Sequence, residues 1–186
     1  MNKTKLPNLV IGDLVISPPI IQGGMGVRVS TASLCAAVAN QGALGVIASV
    51  GLGNEKESEK DYLHSSEMAL RKQIRRAKGL TKGYIGINIM ASLTNFESLT
   101  RASVEEGVDL ILSGAGLPLS LPSYVGDSNT KIGPIISSAR ATELVCRNWS
   151  KKYNRLPDVI VIEGPSAGGH IGFSFSELIS EEAVSL

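Results

Sequence analysis

The chain is poor in the residues that most often announce a function. Its 186 residues include two cysteines, two histidines and one tryptophan, and aromatics make up only 4%. Cys35 and Cys146 lie far apart in segments of helical pattern, without metal-ligand spacing. No disulfide framework is expected, and reduced thiols in a cytoplasmic protein fit better. Charge of one sign is also missing. The formal net charge is +1, which leaves no electrostatic footprint for nucleic acid, and the shortage of aromatics argues against base stacking. No run of about 18 apolar residues occurs, so no membrane span is expected. The N-terminus, "MNKTKLPNLVIGD", has too short an apolar stretch for a signal peptide. What is present is a composition 43% hydrophobic and 19% charged, enough for one domain with a sizeable core. The partner this leaves is a small-molecule substrate.

Short apolar runs alternate with helical patterns along the chain. "LVIGDLVI" (9–16) reads as a hairpin turning at Gly12-Asp13. Strands are expected near 19–22, 44–50, 84–90, 109–113, 132–137 and 158–163. Ser30 or Thr31 is placed to cap a first helix, with Leu34, Ala37 and Val38 among its apolar positions. A long helix follows with Leu63, Leu70, Ile74 and Ala77 on one side, and further helices are read at 98–107, at 138–153 and in "SELISEEAVSL". Strand then helix, repeated, means βαβ units and a parallel sheet. Periodicity alone does not separate an open doubly wound sheet from a barrel. Small or polar residues follow nearly every strand, as a barrel that gathers its site from many loops requires.

The motifs carry unequal weight. "GLGNEK" begins like a dinucleotide loop but lacks the third glycine. The basic cluster Arg71, Lys72, Arg75, Arg76 and Lys78 suits either an anion site or a solvated helix end. Trp149 reads as packing. "QGGMG" after the first strand offers close backbone approach and free N–H donors, or simply a tight turn. Asn88 interrupts the apolar run "IGINIM", and a buried amide needs partners. They are the edge of a planar ligand or a neighbouring loop. "EGPSAGGH" is the strongest local signal. Glu163 ends a buried strand, Gly168 and Gly169 let the loop fold back over a ligand, and His170 follows as a natural general base or as a loop histidine bound to backbone. His64 lies in a charged helix start and reads as exposed.

Together "PIIQGGMGVRVS", "ANQGALGVIAS", "GINIM", "LILSGAG" and "EGPSAGGHIGF" resemble, in order, segments of the nitronate monooxygenase family and of the related flavin-type enoyl-acyl-carrier-protein reductases. The resemblance covers most of the chain from Pro19 to Phe173. It implies a TIM-type (β/α)8 barrel that binds FMN, with Gly23, Gly24, Met25 and Asn88 at the flavin and His170 catalytic. Glu163, Gly168 and Gly169 join the expected cofactor-binding set. The implied reaction is oxidation of alkyl nitronates or nitroalkanes with dioxygen. An NAD(P)H-dependent enoyl-thioester reductase is the rival on the same fold, and a non-catalytic subunit of a split barrel is the rival from another class. "GGMGV" is nearer the nitronate oxidisers.

One departure stands out. Six strands are read where a barrel has eight, so residues 1–186 are expected to be the N-terminal part of one barrel domain. The last two strands, where the resemblance puts the FMN phosphate, would come from a missing C-terminal segment or a partner chain.

Overall fold

The computed structural model describes residues 6–53, 58–169 and 172–173. A hairpin, β1 (Leu9–Ile11) and β2 (Leu14–Ile16), comes first. Then follow α1 (Ala32–Ala39), β3 (Gly45–Ala48), α2 (Glu59–Leu80), β4 (Ile85–Met90), α3 (Phe96–Glu105), β5 (Leu110–Gly114), α4 (Leu121–Val125), β6 (Lys131–Ile136), α5 (Ala139–Tyr153) and β7 (Val161–Ile162). Strands β3 to β7 pair in sequence order, all parallel.

The two faces of this sheet settle what periodicity left open. Ile47, Ile85, Ile87, Ile89, Ile111 and Ile132 point outward into one core shared with Cys35, Leu70, Ile74, Leu99, Leu121 and Trp149. All five helices therefore lie on one side. The alternate positions Val46, Leu110 and Leu112 pack on the other side against Ile11, Leu14 and Ile16 of the hairpin. A doubly wound sheet would carry helices on both faces. A sheet with helices outside and a hairpin plugging its inside is the wall of a partial (β/α) barrel.

The hairpin is fixed across the inner end of the sheet. Lys131 Nζ pairs with Asp13 Oδ1 at 2.6 Å, and the Val15 N–H donates to the Tyr84 hydroxyl. The strands' N-terminal ends share a second device. The Asp109 carboxylate, just ahead of β5, accepts the N–H of Ile85 at 2.7 Å. Asp158, ahead of β7, accepts that of Ile132 at 2.8 Å.

Several expectations need correction. The strand read at 19–22 shrinks to one parallel bridge, Ile21 to Leu44. Pro18 and Pro19 have no N–H to offer, and the Gln22 side chain takes over the next rung. Its Oε1 accepts the Val46 N–H at 3.3 Å, and its Nε2 donates to the Val46 carbonyl at 3.1 Å. The last strand is two residues long, not six. In α1 the buried face is Ala32, Cys35, Ala36 and Ala39 rather than Leu34, Ala37 and Val38, and N-cap Thr31 makes no side-chain cap bond. The third helix begins two residues earlier than expected. Helix α4 lies where the sequence reading places no helix; Pro122 sits in its first turn, where no N–H is needed.

Other readings hold. Trp149 is fully buried, its indole N–H donating to the Pro118 carbonyl at 3.0 Å. His64 is exposed. Among the basic residues, Arg71 binds Glu67, Glu105 and Glu106, Arg75 binds Glu106, and Lys78 donates to the Gly107 carbonyl. These groups tie α2 to the end of α3 and are not a free anion site. "SELISEEAVSL" lies outside the described residues. None of the described helices is long and apolar enough to cross a membrane.

Candidate functional site

The strands end at a rim that carries the loops 22–30, 49–53 and 114–117 and, after β7, residues 163–169. Asn88 is the Cα partner of both Ala48 and Leu112, so it shares the inner face with Leu112. It is half-buried, and none of the hydrogen bonds among the described residues uses its side-chain amide. Loop 22–30 leans on it. A Cβ at Gly24 would stand 2.3 Å from Asn88 Cβ and 2.8 Å from Cγ, a distance only glycine permits. Gly24 and Asn88, 64 positions apart, thus form one surface.

The loop is knotted by side chains that sequence reasoning assigned elsewhere or passed over. Ser30, fully buried, accepts the Met25 N–H at 2.9 Å and the Gln22 amide at 2.8 Å, and donates to the Gly23 carbonyl at 3.2 Å. It was read as a helix cap; its work is to close the glycine turn. Arg28 reaches the carbonyls of Gly51 at 3.0 Å and Gly53 at 2.7 Å. No local pattern announces an arginine bound to backbone 23 residues away. Gly23 is exposed with open space around it, and Met25 is 45% exposed.

The second glycine loop leaves β7 at Glu163, whose N–H donates to the Ile136 carbonyl. Its return is held at Gly172, whose N–H donates to Glu163 Oε2 at 3.2 Å and whose carbonyl accepts from the Ser137 hydroxyl at 2.9 Å. Glu163 and Gly172 are thereby tied together at the ends of β6 and β7. Gly168 and Gly169 are exposed, with Gly169 at φ +93°. His170 lies outside the described residues. The structure therefore joins Gly24 to Asn88 and, separately, ties Gly172 to Glu163 and Ser137.

A concave space of about 400 Å³ is lined by Ser123, Asp127, Asn154 and Arg155. It sits by the start of β6, at the opposite end of the strands, and its Arg155 is engaged by the Gly126 and Thr130 carbonyls and by Asp158. No three His, Cys, Asp or Glu side chains among the described residues are grouped to hold a metal ion.

FabK from Thermotoga maritima is structurally similar, with a TM-score of 0.67 and 30% identity over 83% of this chain and 43% of that one. Nitroalkane oxidase from Streptomyces ansochromogenes shares the fold, with a TM-score of 0.66 and 18% identity over 86% of this chain and 50% of that one. The (3aS,4S,5R,7aS)-5-hydroxy-7a-methyl-1-oxo-octahydro-1H-indene-4-carboxyl-CoA dehydrogenase of Mycobacterium tuberculosis is 26% identical over 157 residues, 84% of this chain and 38% of its own. The chain thus spans half or less of the length of these relatives. The family model "Nitronate monooxygenase" matches residues 8–186, nearly the whole sequence and every loop of the rim. With the barrel wall and its glycine-lined rim, that match decides the question: the chain belongs to the nitronate monooxygenase family.

Proposed function

We propose that this chain supplies the ring-binding side of an FMN-dependent oxidoreductase that oxidises alkyl nitronates or nitroalkanes. The observation that carries this reading is the Gly24–Asn88 surface. A flat ligand can approach bare backbone there, and beside it stands an amide with both donor and acceptor capacity that no hydrogen bond among the described residues uses. Those are the features a flavin ring edge would engage, and the residues present fit it.

Gly23, Gly24 and Met25 would lie along the ring and Asn88 at its polar edge. Bound flavin would supply the electron-accepting centre. Glu163, Gly168 and Gly169 would shape a loop over the site, with Glu163 holding Gly172. His170, carried by that loop, is assigned the proton. An imidazole nitrogen takes the α-hydrogen of a neutral nitroalkane and leaves the nitronate. The donors for the FMN phosphate would come from further β/α units that continue the sheet, in the same protein or in a partner chain.

The test compares anaerobic flavin reduction by a neutral nitroalkane, by its preformed nitronate and by NAD(P)H in the holoenzyme. Reduction by the nitroalkane and nitronate is expected, and reduction by NAD(P)H alone would overturn the reading. His170→Ala should slow the neutral substrate by about 10²–10⁴-fold and the preformed nitronate much less. Equal effects on both would remove the base role. The second reading is reduction of an acyl thioester. The CoA ester named for the mycobacterial dehydrogenase and the higher identity to FabK favour it, and NAD(P)H-driven turnover of an enoyl thioester would establish it.

A further inference from the structure

We propose that Arg28 is a positioning residue that locks the Gly24 turn onto Asn88 by clamping the two neighbouring rim loops together. Three independent features meet at this residue. Its backbone is left-handed, at φ 59°, a conformation disfavoured for any residue with a Cβ. Its guanidinium donates from two nitrogens, Nε to the Gly51 carbonyl and Nη2 to the Gly53 carbonyl. And the loops it joins are interlocked. A Cβ at Gly26 would strike Val50 Cγ1 at 2.3 Å, and one at Gly51 would strike Val27 Cγ1 at 2.4 Å.

Strained backbone persists where surrounding contacts over-determine it, and it gathers at functional sites. Of the three non-glycine residues at positive φ among those described, Asn154 caps a helix, while Arg28 and Ala115 both lie on the rim. Ser30 and Gln22 hold the inner side of loop 22–30 to β3, and Arg28 holds its outer side to residues 51–53. With both sides fixed, Gly24 has one position over Asn88. A planar fork is the group suited to two carbonyls at once; a lysine is a point donor and reaches one.

The importance of that position rests on the reading of Gly24 and Asn88 as the ring site. The test of the clamp needs no flavin. Asn is the replacement of choice because it tolerates the left-handed region, so Arg28→Asn removes the fork and leaves the turn unstrained. In the chain as it stands, amide hydrogen exchange at Met25, Ser30 and residues 51–53 should rise at least about tenfold in Arg28→Asn, the loss of two bonds to a charged donor. Exchange in β4 and β5 should be unchanged. The side-chain amide NMR resonances of Asn88 should shift and broaden. Arg28→Lys should restore part of the protection. Free guanidinium ion at millimolar concentration should do the same in Arg28→Asn. Loop protection and Asn88 resonances left as in the wild type would overturn the proposal. So would loss of protection throughout β4 and β5, because Arg28 would then be holding the fold rather than the rim. If the clamp passes and nitronate fails to reduce the flavin, the reaction is wrong and the positioning role stands.

Discussion

The Gly24–Asn88 contact was legible in its members and not in its meeting. Each was marked in the sequence, one as paired glycine after a strand and the other as an amide in an apolar run. That they touch is decided by the register of β3 against β4. Gly24→Ala should therefore behave as overpacking and cost about 1–3 kcal/mol in urea unfolding. In an Asn88→Gly background the atom it strikes is gone, so the cost should shrink and the double-mutant cycle should be non-additive. Equal costs in both backgrounds would mean that the loop moves away instead. Cys35 offers a second check. Burial, and then the nearby Asp109 carboxylate, push its thiol up to about 12 from an ordinary value of 9.0. At pH 8 a disulfide reagent should label one thiol per native chain, Cys146, and two only after unfolding. The sign on stability follows. Above pH 9.0 the unfolded thiol ionises while the folded one stays protonated, so stability falls as pH rises from there towards 12. The roles of Arg28 and Ser137 were beyond sequence reading for a common reason. Each acts on backbone groups of a loop that only the fold brings near.

At the scale of elements, the sequence predicted strand and helix order well and lengths poorly where the ends are held by side chains. Gln22 replaces a rung of strand pairing, and a two-residue β7 follows a carboxylate that has already secured its neighbour. The aspartates ahead of β5 and β7 do the same work and make a paired prediction. Asp158→Ala leaves the Ile132 N–H without its acceptor, a loss of about 1–3 kcal/mol by urea denaturation. Asp109→Ala does the same to Ile85. Asp109→Asn keeps an acceptor and removes a charge that burial already disfavours, so it should lie close to the wild type. The α2–α3 tie responds to acid in the opposite sense. Glu106 is held below its ordinary 4.5, by Arg75 first and then, against a burial effect, by Arg71. Its contribution is complete above that value and is lost as pH falls through the lowered one.

For the whole molecule, a parallel βα array was readable from the repeats and its closing as a barrel only from the strand-end residues and the family resemblance; the helices on one face remove the doubly wound alternative. Among the described strands β7 is the last of the curved sheet and pairs only with β6. Ile162 on that strand is 74% exposed. An apolar edge with unpaired backbone groups invites pairing with another chain. The polypeptide of residues 1–186 should therefore self-associate with rising concentration in sedimentation experiments, and Ile162→Lys should suppress this. Association unchanged by that substitution would place the sticky surface elsewhere.

The hairpin that plugs the inner face has a consequence for the chain while it is being made. Asp13 and its partner Lys131 are 118 positions apart (131 − 13). At about 5–20 residues per second of synthesis, the plug waits roughly 6–24 s for the strand that receives it. Throughout that interval Ile11, Leu14 and Ile16 have no finished wall to rest on. The nascent hairpin is therefore the segment on which a ribosome-associated chaperone would find its longest-lived apolar target.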